Sequence, residues 1–159
     1  MTDSILSYLT FGNTYCSIEH IVDADETIDI RILTATKKNG EFHIQKSIFE
    51  NDIEIISTEI DKNQHCFLNI SGGQVLIKVT SISGNDTKII GSAFPNIDLN
   101  DFYYQILKTS SQNFVALCRK DYIRSILKIY ATNKIEVIGC SLGFFTIQNL
   151  TNFLQEEDI

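Results

Sequence analysis

Apolar and polar residues alternate along the first half of the chain, and this alternation predicts β-strands. In the run 13–23, Cys16 and Ile18 lie on one side while Tyr15 and Ser17 lie on the other. β-Branched and aromatic residues are frequent in these runs, as is typical of a half-buried pleated surface. The same pattern predicts further strands within 26–50, 52–60 and 65–82.

Two pairs of turn residues divide the longer runs. Asn39-Gly40 predicts a two-residue hairpin within 26–50, because a type I′ turn needs positive φ at both central positions. Gly72-Gly73 divides 65–82 and predicts a glycine hairpin or a bulge. A phosphate-binding loop is the other interpretation of the stretch S-G-G-Q, but it lacks the Lys and the following Ser or Thr of a P-loop.

The apolar spacing changes to a helical period after Pro95. Leu99, Phe102 and Ile106 follow a helical repeat within 96–109, and Asp98 is a candidate N-cap for that helix. A second helix is predicted over 119–134, ended by Asn133 in the left-handed conformation. The remaining predicted elements are strands at 112–118 and 135–141, and a final helix over 142–156 with Ile147, Leu150 and Leu154 on one face.

The predicted order is therefore β-β-β-β-β followed by α-β-α-β-α. It indicates one compact α/β (α+β) domain over residues 1–159, with no linker and no repeat. The strand-rich first half suggests an antiparallel portion. The αβαβα second half suggests crossover connections, so the sheet is expected to be mixed.

Composition narrows the classes of partner. The net charge is −7 and the pI is about 4.8, which argues against a general nucleic-acid surface. The N-terminus carries Asp3 and no basic n-region, and no window reaches about 18 apolar residues, so we expect a cytoplasmic chain with no direct membrane insertion. Four cysteines lie far apart without zinc-site spacing and are expected to be reduced thiols: Cys16, Cys66, Cys118 and Cys140.

Ser141 lies in G-C-S-L-G, which matches the G-x-S-x-G nucleophile elbow of esterases. In that fold the acid and the His follow the Ser along the chain, yet none of residues 142–159 is a His. We therefore interpret Ser141 as a helix N-cap, with Gly139 and Gly143 serving the turn. A small hydrolase that uses Ser141 or a Cys stays open as the alternative.

Two other clusters predict no chemistry. His65 and Cys66 are neighbours in a predicted strand, so their side chains point to opposite faces and cannot form a dyad. The acidic run Asp23, Asp25, Glu26 and Asp29 lacks the spacing of an EF-hand, and we expect a solvated loop and no metal site.

Positive charge is concentrated on one predicted helix and its ends. Lys120, Arg124 and Lys128 are spaced four residues apart and share a face. One interpretation is a solvated face beside the apolar stripe of the helix. The other is a docking surface for an acidic partner or a phosphate-bearing surface. The candidate partner-binding residues are Arg119, Lys120, Arg124 and Lys128, with Lys134 nearby.

Three stretches of the second half resemble the actin-like scaffold subunits of type II secretion and type IV pilus assembly machines. They are 92–106, which contains Phe94-Pro95; 113–130, which contains Arg119-Lys120; and 134–150. In that family a proline-containing phrase introduces a helix, a strand ends in a charged pair that begins a second helix, and a further strand leads into another helix.

The resemblance implies an actin-like (RNase H-like) lobe and a cytoplasmic, non-catalytic scaffold that binds other protein subunits, including membrane-assembly components. It also implies that this chain is the N-terminal lobe of a longer protein. Nucleotide-binding members of the superfamily carry an Asp-x-Gly phosphate loop, and this sequence has no Asp-x-Gly, so we expect no cofactor. Nucleotide sensing at Gly72-Gly73 and a homodimer stay open.

Overall fold

The computed structural model describes residues 12–23, 25–62 and 64–149, of which 148 and 149 are described by their backbone alone. Its strands are β1 (Thr14–Val22), β2 (Ile28–Lys38), β3 (Glu41–Glu50), β4 (His65–Gly72), β5 (Leu76–Thr80), β6 (Phe102–Lys108), β7 (Asn113–Arg119) and β8 (Glu136–Leu142). Its α-helices are α1 (Ile53–Glu59), α2 (Asp86–Ala93) and α3 (Lys120–Thr132). Leu99–Asp101 and Gly143–Asn149 are 3₁₀ segments.

The strands form two sheets. The larger one has the order β3-β2-β1-β4-β8, in which β1, β4 and β8 run parallel while β2 and β3 run antiparallel to their neighbours. The smaller one has the order β5-β7-β6 and is antiparallel throughout. The predicted mixed sheet with an antiparallel first portion is thereby confirmed.

The main core lies on one face of the five-stranded sheet. Even-numbered residues of β1, β2 and β4, such as Ile18, Ile32 and Leu68, pack there against α1 and α3. Helix α3 contributes the buried Ile123 and Ile126. A second, smaller core lies between α2 and the three-stranded sheet. Helices therefore cover one face of the large sheet, which we call the core face; the opposite face is called the open face.

The hairpin at Asn39-Gly40 is confirmed. Asn39 has φ 54° and Gly40 has φ 89°, so both central residues have the positive φ that a type I′ turn needs. Strands β2 and β3 pair across this turn.

The prediction of a strand over 52–60 was wrong, because residues 53–59 form α1. Asp52 caps this helix by accepting a hydrogen bond from the Glu54 amide at 2.8 Å. Ile53, Ile56 and Ile60 all pack into the core. Their spacing is helical, and this signal competed with the strand-like alternation of the same stretch.

The predicted helix over 96–109 was also wrong. Asp98 does cap a turn, since its carboxylate accepts from the Asn100 amide, but the turn is one 3₁₀ segment and strand β6 follows it. The helix of this region lies upstream, where Asn85 caps α2. The second half is therefore α-β-β-α-β, followed by a 3₁₀ segment.

Helix α3 and strands β7 and β8 confirm three predicted elements, but α3 does not end as predicted. Asn133 has φ −85°, and the left-handed residue is Lys134, at φ 61°. The Asn133 amide donates to the Ile129 carbonyl, and the Lys134 amide donates to the Ala131 carbonyl. Of the predicted final helix, 143–149 is a 3₁₀ segment, while Leu150 and Leu154 lie outside the described residues.

Candidate functional site

Ser141 lies inside β8, and its surroundings differ from a nucleophile elbow. The residue is 2% exposed, and its hydroxyl donates to Gln105 Oε1 at 3.2 Å. The same Gln105 oxygen accepts a hydrogen bond from the Leu142 amide at 2.7 Å. An elbow instead presents its hydroxyl on a turn above the sheet. Ser141 is therefore neither an exposed nucleophile nor the predicted N-cap: it fastens β8 of the large sheet to β6 of the small one.

Packing explains both glycines of the motif. A Cβ added at Gly139 would lie 2.9 Å from Cε2 of Phe67, so the ring of Phe67 occupies the space of the missing side chain. Gly143 has φ 55° and lies close to Ile77. The G-x-S-x-G match thus arises from a close ring contact and a left-handed turn.

Three of the four cysteines, Cys16, Cys66 and Cys118, are buried, and Cys140 is half-buried. Cys16 and Cys66 face each other across β1 and β4, and both are buried. A hydrogen bond between the two thiols lowers the pKa of Cys16 and, together with burial, raises the pKa of Cys66. Burial raises the pKa of Cys118 and of Cys140 to about 11, which keeps both thiols protonated.

The Gly72-Gly73 turn carries the chain between the two sheets, so the predicted hairpin was wrong: β4 and β5 do not pair with each other. Gly72 has φ 99°, and a Cβ there would clash with the Val22 carbonyl oxygen. The Gly73 amide donates to that same oxygen at 2.8 Å. An amide that is already bonded to the backbone of β1 cannot also cradle a phosphate.

Acidic and histidine clusters do not converge on a metal site among the described residues. Asp25 accepts from the Thr27 hydroxyl at 2.9 Å, which lowers the pKa of Asp25. His65 Nδ1 lies 3.3 Å from Glu136 Oε2. His65 and Cys66 point to opposite faces of β4, since Cys66 lies in the core and His65 faces the open side.

The predicted basic residues lie at the start of α3 and along its solvent side. The Arg119 guanidinium lies 5.2 Å from the ring centre of Phe102. The Lys120 ammonium donates to the Asn100 carbonyl at 2.7 Å. Both side chains contact β6 or the turn before it. They are therefore less available to a partner than a fully solvated Arg or Lys.

The other two basic residues are more available. Arg124 pairs with Asp121 at 3.2 Å, and both side chains are largely exposed. Exposed pairs of this kind are weak, of about 0–1 kcal/mol. Lys128 is exposed and makes no ion pair within the described residues.

A groove of about 290 Å³ lies directly beside these charges, between β6 and α3. Its lining is Tyr103, Tyr104, Gln105, Ile123, Leu127, Cys140 and Leu142. The Lys120 ammonium lies 5.6 Å from the ring centre of Tyr103. Both tyrosines are partly exposed, and Tyr and Arg are the residue types that most often dominate protein interfaces. We call Arg119, Lys120, Arg124, Lys128 and this tyrosine groove the basic face.

The tyrosine groove depends on β6 being a strand, which the predicted helix over 96–109 excludes. Tyr103 and Tyr104 fall within that predicted helix, whereas the structure places them in β6, an edge strand of the smaller sheet. A run of aromatic and β-branched residues, Phe102 to Ile106, is the signal that favoured a strand.

Comparison with known proteins finds solved structures that share the fold of this chain at low sequence identity. Matches to solved structures include the cytoplasmic domain of EpsL, an inner membrane component of the type II secretion system of Vibrio cholerae, with TM-score 0.55 and 12% identity. They also include the PilM–PilN type IV pilus biogenesis complex, with TM-score 0.55 and 9% identity. A Bacteroides thetaiotaomicron protein with an actin-like ATPase fold and unknown function gives a TM-score of 0.43, 10% identity and coverage of 87% of this chain and 55% of that one.

The fold defined by these likenesses is actin-like, as the sequence resemblance predicted. The matches cover 79% of this chain and 56% of the EpsL domain, and 90% of this chain and 52% of the PilM–PilN chain. The chain thus spans about half the length of these proteins. No protein-family model matches the sequence, and no curated protein does. Among the described residues, no helix has both the length and the apolar character needed to cross a bilayer.

Proposed function

We propose that this chain is a non-catalytic, cytoplasmic scaffold domain that binds other protein subunits of a secretion or pilus assembly machine. The observation that carries the proposal is the fold-level likeness to EpsL and to the PilM–PilN complex. The first is described as part of a secretion system and the second as a pilus biogenesis complex. Both descriptions name a protein within a larger assembly.

The basic face supports this proposal as the docking surface. It concentrates exposed cations on an acidic chain of net charge −7, beside partly exposed tyrosines. A partner with an acidic surface would be steered to this face and held by the tyrosine groove. The proposed partner is therefore an acidic segment of another subunit.

The proposal is tested by affinity capture from an extract of the source cells, with the whole chain as bait and mass spectrometry as readout. Membrane-assembly components are the expected catch. Recovery of metabolic enzymes alone would count against the scaffold role.

The non-catalytic part of the proposal has its own test. Ser141 donates to Gln105 and is buried, so a fluorophosphonate probe is expected to leave it unlabelled. Labelling that disappears in Ser141→Ala would establish the hydrolase alternative instead. Calorimetry with ATP and Mg²⁺ is expected to give no binding heat, because the Gly73 amide is bonded to Val22.

A further inference from the structure

The open face of the five-stranded sheet carries an apolar groove of about 600 Å³. The large apolar side chains that line it are Tyr15, Leu33, Phe42, Ile44, Phe67 and Ile138. Parallel strands are normally covered by helices on both faces, and β1, β4 and β8 are parallel to one another. Helices α1 and α3 cover only the core face.

A β-bulge in β3 turns two of these side chains into the groove. Thr34 pairs with Lys46 and the next residue, Ala35, pairs with Ile44, so Gln45 is an extra residue in β3. One extra residue reverses the faces of everything beyond it. Without it, Phe42 and Ile44 would point to the core face; with it they lie on the open face, 61% and 68% exposed.

A second bulge lies at the opposite edge of the sheet. Cys66 pairs with Val137 and Phe67 pairs with Gly139, which leaves Ile138 as the extra residue of β8. Ile138 lines the groove and is 50% exposed. Both edge strands therefore carry a one-residue insertion beside apolar side chains of the open face. Bulges are found where a side chain must be re-aimed.

We infer that the open face is a docking groove for one amphipathic helix of a partner protein. The inference rests on the proposed scaffold function and deepens it, because it names a kind of partner for a surface other than the basic face. A helix is the element that covers a parallel sheet. An apolar stripe spaced i, i+3, i+4 and i+7 suits a groove whose lining is almost wholly apolar.

The size of the groove favours a helix over a second copy of this chain. The apolar surface of the groove comes from six side chains, most of them only partly exposed, and is small for an interface between two folded chains. A stable dimer of folded surfaces needs about 800 Å² from each partner. The apolar face of a single helix needs a smaller area than such a dimer interface.

Charged side chains on the open face indicate which charge the partner helix should carry beside its apolar stripe. The Lys37 ammonium lies 5.5 Å from the ring centre of Phe42, and within the described residues no carboxylate pairs with it. Arg31, in contrast, has Glu19 as an ion-pair partner at 3.7 Å. The docking helix should therefore carry an acidic residue beside its apolar stripe.

The test uses the whole chain and a fluorescent synthetic helical peptide of about 18 residues, with a leucine stripe flanked by glutamates. Fluorescence anisotropy is expected to show saturable binding. Ile44→Glu should weaken binding by about tenfold or more, because it places a charge in the groove. Ile55→Glu is the matched control: Ile55 is 44% exposed on α1, which packs on the core face, and binding should be unchanged.

A charge exchange separates specific docking from adhesion to an apolar surface. Lys37→Glu should weaken binding of the glutamate-flanked peptide and strengthen binding of a lysine-flanked one. Absence of binding to the wild-type chain, or equal binding by Ile44→Glu, would overturn the inference. So would a dimer in analytical ultracentrifugation that Ile44→Glu dissociates, because the occupant would then be a second copy. None of these results would affect capture through the basic face, so the two proposals fail separately.

Discussion

At the scale of single residues, Gly139 lacks a side chain because the ring of Phe67 fills that space. The sequence alone suggested a catalytic motif there, since a glycine needed for packing looks the same as a glycine needed for an elbow. Ser141 gave the same ambiguity, and its partner Gln105 comes from a different sheet. Such contacts between distant residues leave no trace in local spacing, so this corner could not be predicted.

Replacing Gly139 by alanine should destabilise the protein. The new methyl group would lie 2.9 Å from Phe67, and forcing the ring aside costs about 1–3 kcal/mol in the free energy of unfolding. Urea denaturation measures the change. Gly91→Ala is the control: Gly91 lies in α2 with open space around it, so alanine should be neutral or stabilise by about 0.5–1 kcal/mol. Equal effects of the two substitutions would contradict the packing account.

A buried histidine should make stability depend on pH. Burial lowers the pKa of His20, whose Nδ1 lies 3.0 Å from the Tyr130 hydroxyl. The unfolded chain then binds a proton more readily, so the stabilisation is complete above the ordinary His pKa of 6.5 and is lost as the pH falls below it. Thermal unfolding between pH 7 and pH 5 should show a falling Tm. His20→Gln should flatten this slope; an unchanged slope would rule out His20 as the source.

At the scale of secondary-structure elements, prediction succeeded where one signal dominated. Asn39-Gly40 defined the β2–β3 hairpin, and the alternation of 13–23 defined β1 with its buried even-numbered face. It failed where two signals competed. Residues 53–59 alternate like a strand but also place Ile53, Ile56 and Ile60 at helical spacing, and the Asp52 cap decided the outcome. Residues 102–108 also have helical spacing, but they form β6, which pairs with β7.

The end of α3 provides a test at this scale. Lys134 occupies the left-handed position with φ 61°, where a side chain is strained and glycine is not. Lys134→Gly should therefore stabilise the protein by about 1 kcal/mol. Asn133→Gly is the control and should destabilise it, because Asn133 has negative φ and donates its side-chain amide to the Ile129 carbonyl. Chemical denaturation of both variants measures the difference, and the opposite order would contradict the assignment of the cap.

At the scale of the whole molecule, the residues that the structure describes include two candidate docking surfaces. One is the basic face. Its charges could be predicted from the sequence, but its tyrosine groove could not. The other is the apolar open face, where the bulge at Gln45 places Phe42 and Ile44 beside side chains that strand alternation already puts there. A bulge cannot be located from alternation in one strand, since it is defined by the register with its neighbour.

The most direct test of the central claim is quantitative capture of membrane-assembly subunits by the wild-type chain and by the double variant Arg124→Glu, Lys128→Glu. Both side chains are exposed and their only described ion pair is weak, so the variant should fold normally. The account predicts that capture falls by about tenfold or more, whereas Lys88→Glu, an exposed change on α2, leaves it intact. Equal capture by all three chains would contradict the basic face as the docking surface, and capture of none of these subunits by the wild type would contradict the scaffold function itself.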